Sequence, residues 1–127
     1  MWKYIKDFIP ISNLERLEIL KVGDTNISNI SFLERIKNIK ELNLNGFKKI
    51  EDFIPISKLA KLEILKFGKT NIGGNFLQKN VNIKTLNLNF ITKLERLKIL
   101  DLSQTYISGI SFLEVVEILK ILYLYRN

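Results

Sequence analysis

The sequence writes LERLEILKVGDTNI at 14–27, LAKLEILKFGKTNI at 59–72 and LERLKILDLSQTYI at 94–107. Near-identical phrases at intervals of tens of residues restrict the fold more than any other feature of the chain. Each copy has to form the same small unit, and a unit this short cannot bury its own apolar side. The copies must stack.

The repeating kernel is L-x-L or its equivalent. The pairs are Leu20/Val22, Leu42/Leu44, Leu65/Phe67, Leu86/Leu88, Leu100/Leu102 and Leu122/Leu124. Their first members are 22, 23, 21, 14 and 22 residues apart. Upstream of most pairs apolar residues step back by three, as in Leu14, Leu17, Leu20, or Ile36, Ile39, Leu42, or Leu59, Leu62, Leu65, or Leu94, Leu97, Leu100, or Val116, Leu119, Leu122. Period two makes each pair a short strand with two apolar side chains inward and the intervening residue outward. Stacked strands of this kind form a parallel sheet over one continuous core. Each buried Leu or Ile contributes roughly 1.5–3 kcal/mol, so about six rows suffice for one domain covering 1–127.

The pattern resembles the leucine-rich-repeat family, L-x-x-L-x-L-x-x-N/C-x-L, from about Phe8 to Asn127. SNISFLERIKNIKEL at 28–42 is laid out like the segment between strands in the short bacterial, internalin-like type. The resemblance implies an α/β fold: a right-handed solenoid, horseshoe in outline. About six short parallel strands line its concave face, with turns, 3₁₀ or short helical pieces on the convex side. The slot that the family fills with Asn holds Thr25, Thr70, Thr105 and Asn127. In the second copy, LNLNGFKKI puts Phe47 there, which resembles the cysteine-type variant. FIPIS at 8–12 returns at 53–57, so a pair of coils is the larger unit.

Three places depart from regularity. The interval 86–100 lacks about nine residues relative to LNLNGFKKIEDFIPISKLAKLEIL. A parallel crossover needs about a dozen, so a pinched coil is expected there, or a strained hinge that favours domain swapping. Trp2, Tyr4, Ile5 and Phe8 read as an N-terminal cap over 1–12. ILKILYLYRN ends the sequence without a capping segment. Its apolar edge leaves three readings open: a longer array, a second copy lying over the edge, or a stable exposed end.

The outward strand positions form the face open to a partner. Their middle column reads Lys21, Asn43, Lys66, Asn87, Asp101 and Tyr123, and Asn45 and Tyr125 stand beside it. These eight residues are the expected partner-binding set. Ile19, Ile64, Ile99 and Ile121 flank them, either as edge packing or as an apolar stripe beside polar groups.

The formal net charge of +7 raises nucleic acid as a partner. Yet Arg16, Lys37, Lys58, Lys61, Arg96 and Lys98 fall between the leucines on the ascending and convex side. No single basic face interleaved with aromatics emerges. Nucleic acid or another acidic surface therefore ranks third. A protein partner ranks first, which the family resemblance also implies. A self-assembling structural role, through the C-terminal edge strand or by swapping near 86–100, ranks second.

The chain has no Cys and no His. Disulfides, imidazole triads and His or Cys zinc sites are thereby excluded. IGGN at 72–75 lacks the Lys-Ser/Thr of a phosphate loop. The expectation is no enzyme, no cofactor and no metal. MWKYIKDFIP carries Lys3, Lys6 and Asp7 where a secretory leader would be apolar, and no run is long enough to span a bilayer. An intracellular, cytoplasmic setting is expected on that basis.

Overall fold

The computed structural model describes residues 7–23, 27, 29–46, 52–66, 88–103, 114 and 119–124. Five three-residue strands, β1 (Ile19–Lys21), β2 (Glu41–Asn43), β3 (Ile64–Lys66), β4 (Ile99–Asp101) and β5 (Ile121–Tyr123), form one sheet. They pair in sequence order and all in parallel. The central leucines fall in register: Leu20, Leu42, Leu65, Leu100 and Leu122. This is a solenoid, in which each coil meets its neighbours along the stack.

The other side of each described coil carries a 3₁₀ helix: Ile9–Asn13, Ser31–Arg35, Ile54–Lys58 and Leu88–Lys93. The first three begin in the same way. A side-chain oxygen of Asp7, Asn29 or Asp52 accepts the backbone N–H two residues on, at 2.9, 2.8 and 2.9 Å. Asx turns of this kind close locally and so stop a strand from continuing. Pro10 and Pro55 sit within the first two helical positions, where a missing N–H costs no bond. Each helix ends when an apolar residue donates its N–H three residues back: Leu14 to Ile11, Ile36 to Leu33, Leu59 to Ile56 and Leu94 to Ile91. That register turns the residue inward. Ile36, Leu59 and Leu94 are buried, as are Ile39, Leu62 and Leu97 one step later. The three-residue steps visible in the sequence are thus successive inward corners of one coil.

A recurring backbone device locks coil to coil. Two successive N–H groups share one carbonyl of the preceding coil. Lys40 and Glu41 share Glu18, Glu63 and Ile64 share Lys40, Lys98 and Ile99 share Glu63, and Lys120 and Ile121 share Lys98. These carbonyls belong to a column just ahead of the strands, reading Glu18, Lys40, Glu63, Lys98, Lys120. Lys40 meets Glu18 and Lys98 meets Glu63, both at 3.6 Å. Half-exposed pairs of this sort contribute at most about 1 kcal/mol each, but their alternation disfavours a slip of one coil against the next.

The core is the filled interior of the stack. Phe8 and Phe32 stack with centroids 5.9 Å apart, and Leu42, Leu62, Leu65, Leu97 and Leu100 are fully buried. Gly46, at φ 77°, supplies the left-handed turn after β2.

Three sequence expectations change. Leu88, expected to close a sixth strand at 86–88, instead opens the fourth 3₁₀ helix. Since β3 and β4 are direct hydrogen-bonded neighbours, no strand lies between them. The pinched coil at 86–100 dissolves for the same reason. Ile91 is buried and accepts from Leu94 just as Ile56 accepts from Leu59, so the described stretch 88–100 is laid out like 53–65. Finally, Phe8–Ser12 of the expected cap belong to the first coil, repeating the 3₁₀ helix of the others. Residues 1–6 lie outside the described residues.

Candidate functional site

Register places the outward side chains in two parallel rows across the sheet. Ile19, Glu41, Ile64, Ile99 and Ile121 make one row, and Lys21, Asn43, Lys66, Asp101 and Tyr123 the other. Successive members sit one strand spacing apart, about 4.8 Å. Ile19 and Ile121 are exposed, at 54% and 42%, while Ile64 and Ile99 are half-buried between neighbours. The isoleucine row is therefore an accessible stripe interrupted once, by Glu41.

Members of the polar row do different jobs. Lys21 and Tyr123 are exposed and Lys66 half-buried. The two lysines flank Asn43, roughly 10 Å apart by strand spacing. Asn43 is committed to the fold: its Oδ1 accepts the Asn45 N–H at 2.8 Å. Asp101 does the same for the Ser103 N–H at 2.9 Å, and its Oδ1 also accepts from the Ser103 hydroxyl. Both are Asx turns that bend the chain off the sheet. Their spacing, Asx followed two residues later by a turn residue after an apolar strand, is a signal the sequence carried. Asn45 is half-buried and its Oδ1 accepts no hydrogen bond. Asn87 and Tyr125 lie outside the described residues. Since β3 pairs directly with β4, the middle column passes from Lys66 to Asp101.

Removing Asn43's oxygen while leaving the face otherwise unchanged separates the two roles. Asn43→Ala is expected to cost about 1 kcal/mol of stability in chemical denaturation, with partner binding retained at temperatures where the chain stays folded. A loss of binding without a loss of stability would return Asn43 to the contact set.

Among the described residues no three acidic groups converge. Also among them, no helix is long and apolar enough to cross a membrane.

Several solved structures share this architecture. An internalin (inlF) of Listeria monocytogenes is 23% identical with a TM-score of 0.73, matched over 97% of this chain and 32% of that one. Internalin C2 of Listeria monocytogenes is 23% identical with a TM-score of 0.71, over 94% of this chain and 47% of that one. A plant peptide hormone receptor, solved in complex with RGF2, is 22% identical with a TM-score of 0.56, over 94% of this chain and 22% of that one. The chain spans less than half the length of each. No protein-family model and no curated protein matches the sequence. The likeness is one of fold: five parallel strands alternating with 3₁₀ turns, a leucine-rich-repeat solenoid.

Proposed function

We propose that this leucine-rich-repeat module is a non-catalytic protein-binding surface. Its open sheet face takes a segment that presents apolar side chains beside acidic ones. The observation that carries the reading is the in-register pairing of an isoleucine row with a row containing Lys21 and Lys66. Apolar area supplies affinity, and the lysines fix orientation and discriminate against basic segments. Tyr123, exposed at the end of the row, adds an aromatic contact of the kind enriched where binding energy concentrates. The rows stand on a hydrogen-bonded sheet over a filled core, so little ordering entropy is lost on binding. The fold is used for binding elsewhere: the plant receptor above was solved in complex with RGF2.

Selection of displayed random peptides against the 127-residue chain tests this. The expected winners combine Asp or Glu with Leu, Ile or Phe. They are expected to bind at least about tenfold more weakly to Lys21→Glu/Lys66→Glu, because two attractions become two repulsions. Winners without acidic residues, or winners indifferent to the double variant, would remove the face assignment.

A further inference from the structure

Stacking gathers on one flank the basic residues that spacing left scattered. The 3₁₀ helices pack against one another in the same order as the strands. Their last residues therefore form a column, which in three successive described coils reads Arg35, Lys58 and Lys93. Past each helix the chain turns inward by the same bond, Leu17 to Leu14, Leu62 to Leu59 and Leu97 to Leu94. The residue just before that corner is exposed, and it is Arg16, Lys61 or Arg96. The second coil places Asn38 there. Lys61 Nζ donates to the Asn38 Oδ1 at 2.7 Å, and Asn38 Nδ2 donates to the Glu15 carbonyl at 2.7 Å, so direct contacts join this second column across three coils.

The flank keeps a surplus of positive charge. Glu18 and Glu63 are held by Lys40 and Lys98 at 3.6 Å, and Glu34 by Lys58 at 3.4 Å. Among the described residues, Arg16, Arg35, Lys37, Lys93 and Arg96 have no ion-pair partner, and all of them are exposed. Glu15 and Glu95 are the acids that stand between them. The sheet face, by contrast, sets Lys21 and Lys66 against Glu41 and Asp101.

A second kind of group borders the cations. Ile54 opens its helix and is 62% exposed, although a helix packs on either side of its own. Ile9, the equivalent residue two coils earlier, is exposed as well. Ile54 lies roughly 8 Å along the helix from Lys58, by the rise of a 3₁₀ turn. Long Lys and Arg stems cover such a distance while keeping their charges in water. Among the described residues, the stretches 13–18, 35–40, 58–63 and 93–98 hold no aromatic side chain on which bases could stack. Phosphates of a nucleic acid would satisfy the cations but leave the isoleucines without a role. An anionic bilayer satisfies both, because its headgroups attract Lys and Arg and its headgroup–acyl boundary takes apolar side chains.

We propose that this flank docks on an anionic lipid surface. The columns Arg35–Lys58–Lys93 and Arg16–Lys61–Arg96 meet the headgroups, and Ile54 and Ile9 enter the boundary beneath them. The site is separate from the open sheet face and does not depend on the binding role above.

Co-sedimentation of the 127-residue chain with lipid vesicles provides the test. Vesicles of one part phosphatidylserine to two parts phosphatidylcholine are expected to carry the chain down at low ionic strength, and vesicles of phosphatidylcholine alone are not. Arg35→Glu/Arg96→Glu is expected to weaken binding at least about tenfold, because two attractions become two repulsions. Ile54→Ser is expected to weaken it about threefold while leaving its salt dependence unchanged. Lys21→Glu/Lys66→Glu alters net charge by the same amount on the other face, and is expected to keep vesicle binding within about twofold, since charges that far from the lipid are screened. The flank residues substituted are exposed, and circular dichroism checks that each variant is folded. No binding to the anionic vesicles, or equal losses from the flank and sheet-face variants, would overturn the proposal. Undiminished binding by Ile54→Ser would overturn it too, and a DNA duplex bound in preference to the vesicles would assign the flank to nucleic acid instead.

Discussion

Leu65→Ala is expected to lower stability by about 2–5 kcal/mol, whereas Leu14→Ala costs less than about 1 kcal/mol. The sequence gives these two leucines parallel parts, each a member of a three-step apolar run. The structure does not. Leu65 is fully buried at the centre of the sheet, between Leu42 and Leu100 in the stack. Truncation there leaves a cavity that coils on both sides would have to collapse around. Leu14 is half exposed, so its truncation opens no comparable void. Urea unfolding followed by circular dichroism measures both. Equal losses at the two positions would mean that the first coil is covered as fully as the middle ones. Because a solenoid is stabilised chiefly between neighbouring coils, the Leu65 variant is expected to weaken the whole stack rather than one turn.

The second large effect belongs to Gly23. A Cβ there would stand 2.5 Å from the backbone carbonyl oxygen of Asn45 and 3.4 Å from the Asn43 Oδ1. Neither group can easily yield. The Asn43 oxygen is already held by the Asn45 N–H, and the neighbouring Asn43 carbonyl accepts from Val22 at 2.9 Å. Gly23→Ala should therefore cost about 1–3 kcal/mol by forcing the first coil away from the second. Gly23→Val should cost more. Hydrogen exchange at Val22 is the sharper readout, since its N–H joins the two coils at that point. An alanine variant with unchanged stability and unchanged Val22 protection would show that the coils pack less closely than described. Ser103 occupies the equivalent place after β4 and carries a side chain there without difficulty. Only the particular approach of the Asn45 carbonyl makes position 23 exacting.

Much of the candidate face was legible because strand periodicity fixes which side chains point outward. Lys21, Asn43, Lys66, Asp101 and Tyr123 were assigned to one column from spacing, and the register places them there. Spacing alone could not separate contact residues from structural ones. Asn43 and Asp101 look like partner-facing polar groups until their oxygens are seen capping the turns that follow. The same local ambiguity misled the strand count. LNLN at 42–45 begins in β2, whereas the identical LNLN at 86–89 runs into a 3₁₀ helix at Leu88. Four residues are too few to choose between the two, and the neighbours in the stack decide.

What the sequence determined by itself was the stacking. Leucines recurring at coil intervals can be buried only by one another, and period two within each strand turns the alternate row outward. What the tertiary structure alone decided was which copies become strands, which polar side chains are consumed by turns, and which leucines lie uncovered. Those outcomes depend on the coil next door. A residue's own neighbours in the chain are the same at an end of the stack as in its middle, while its neighbours in space are not.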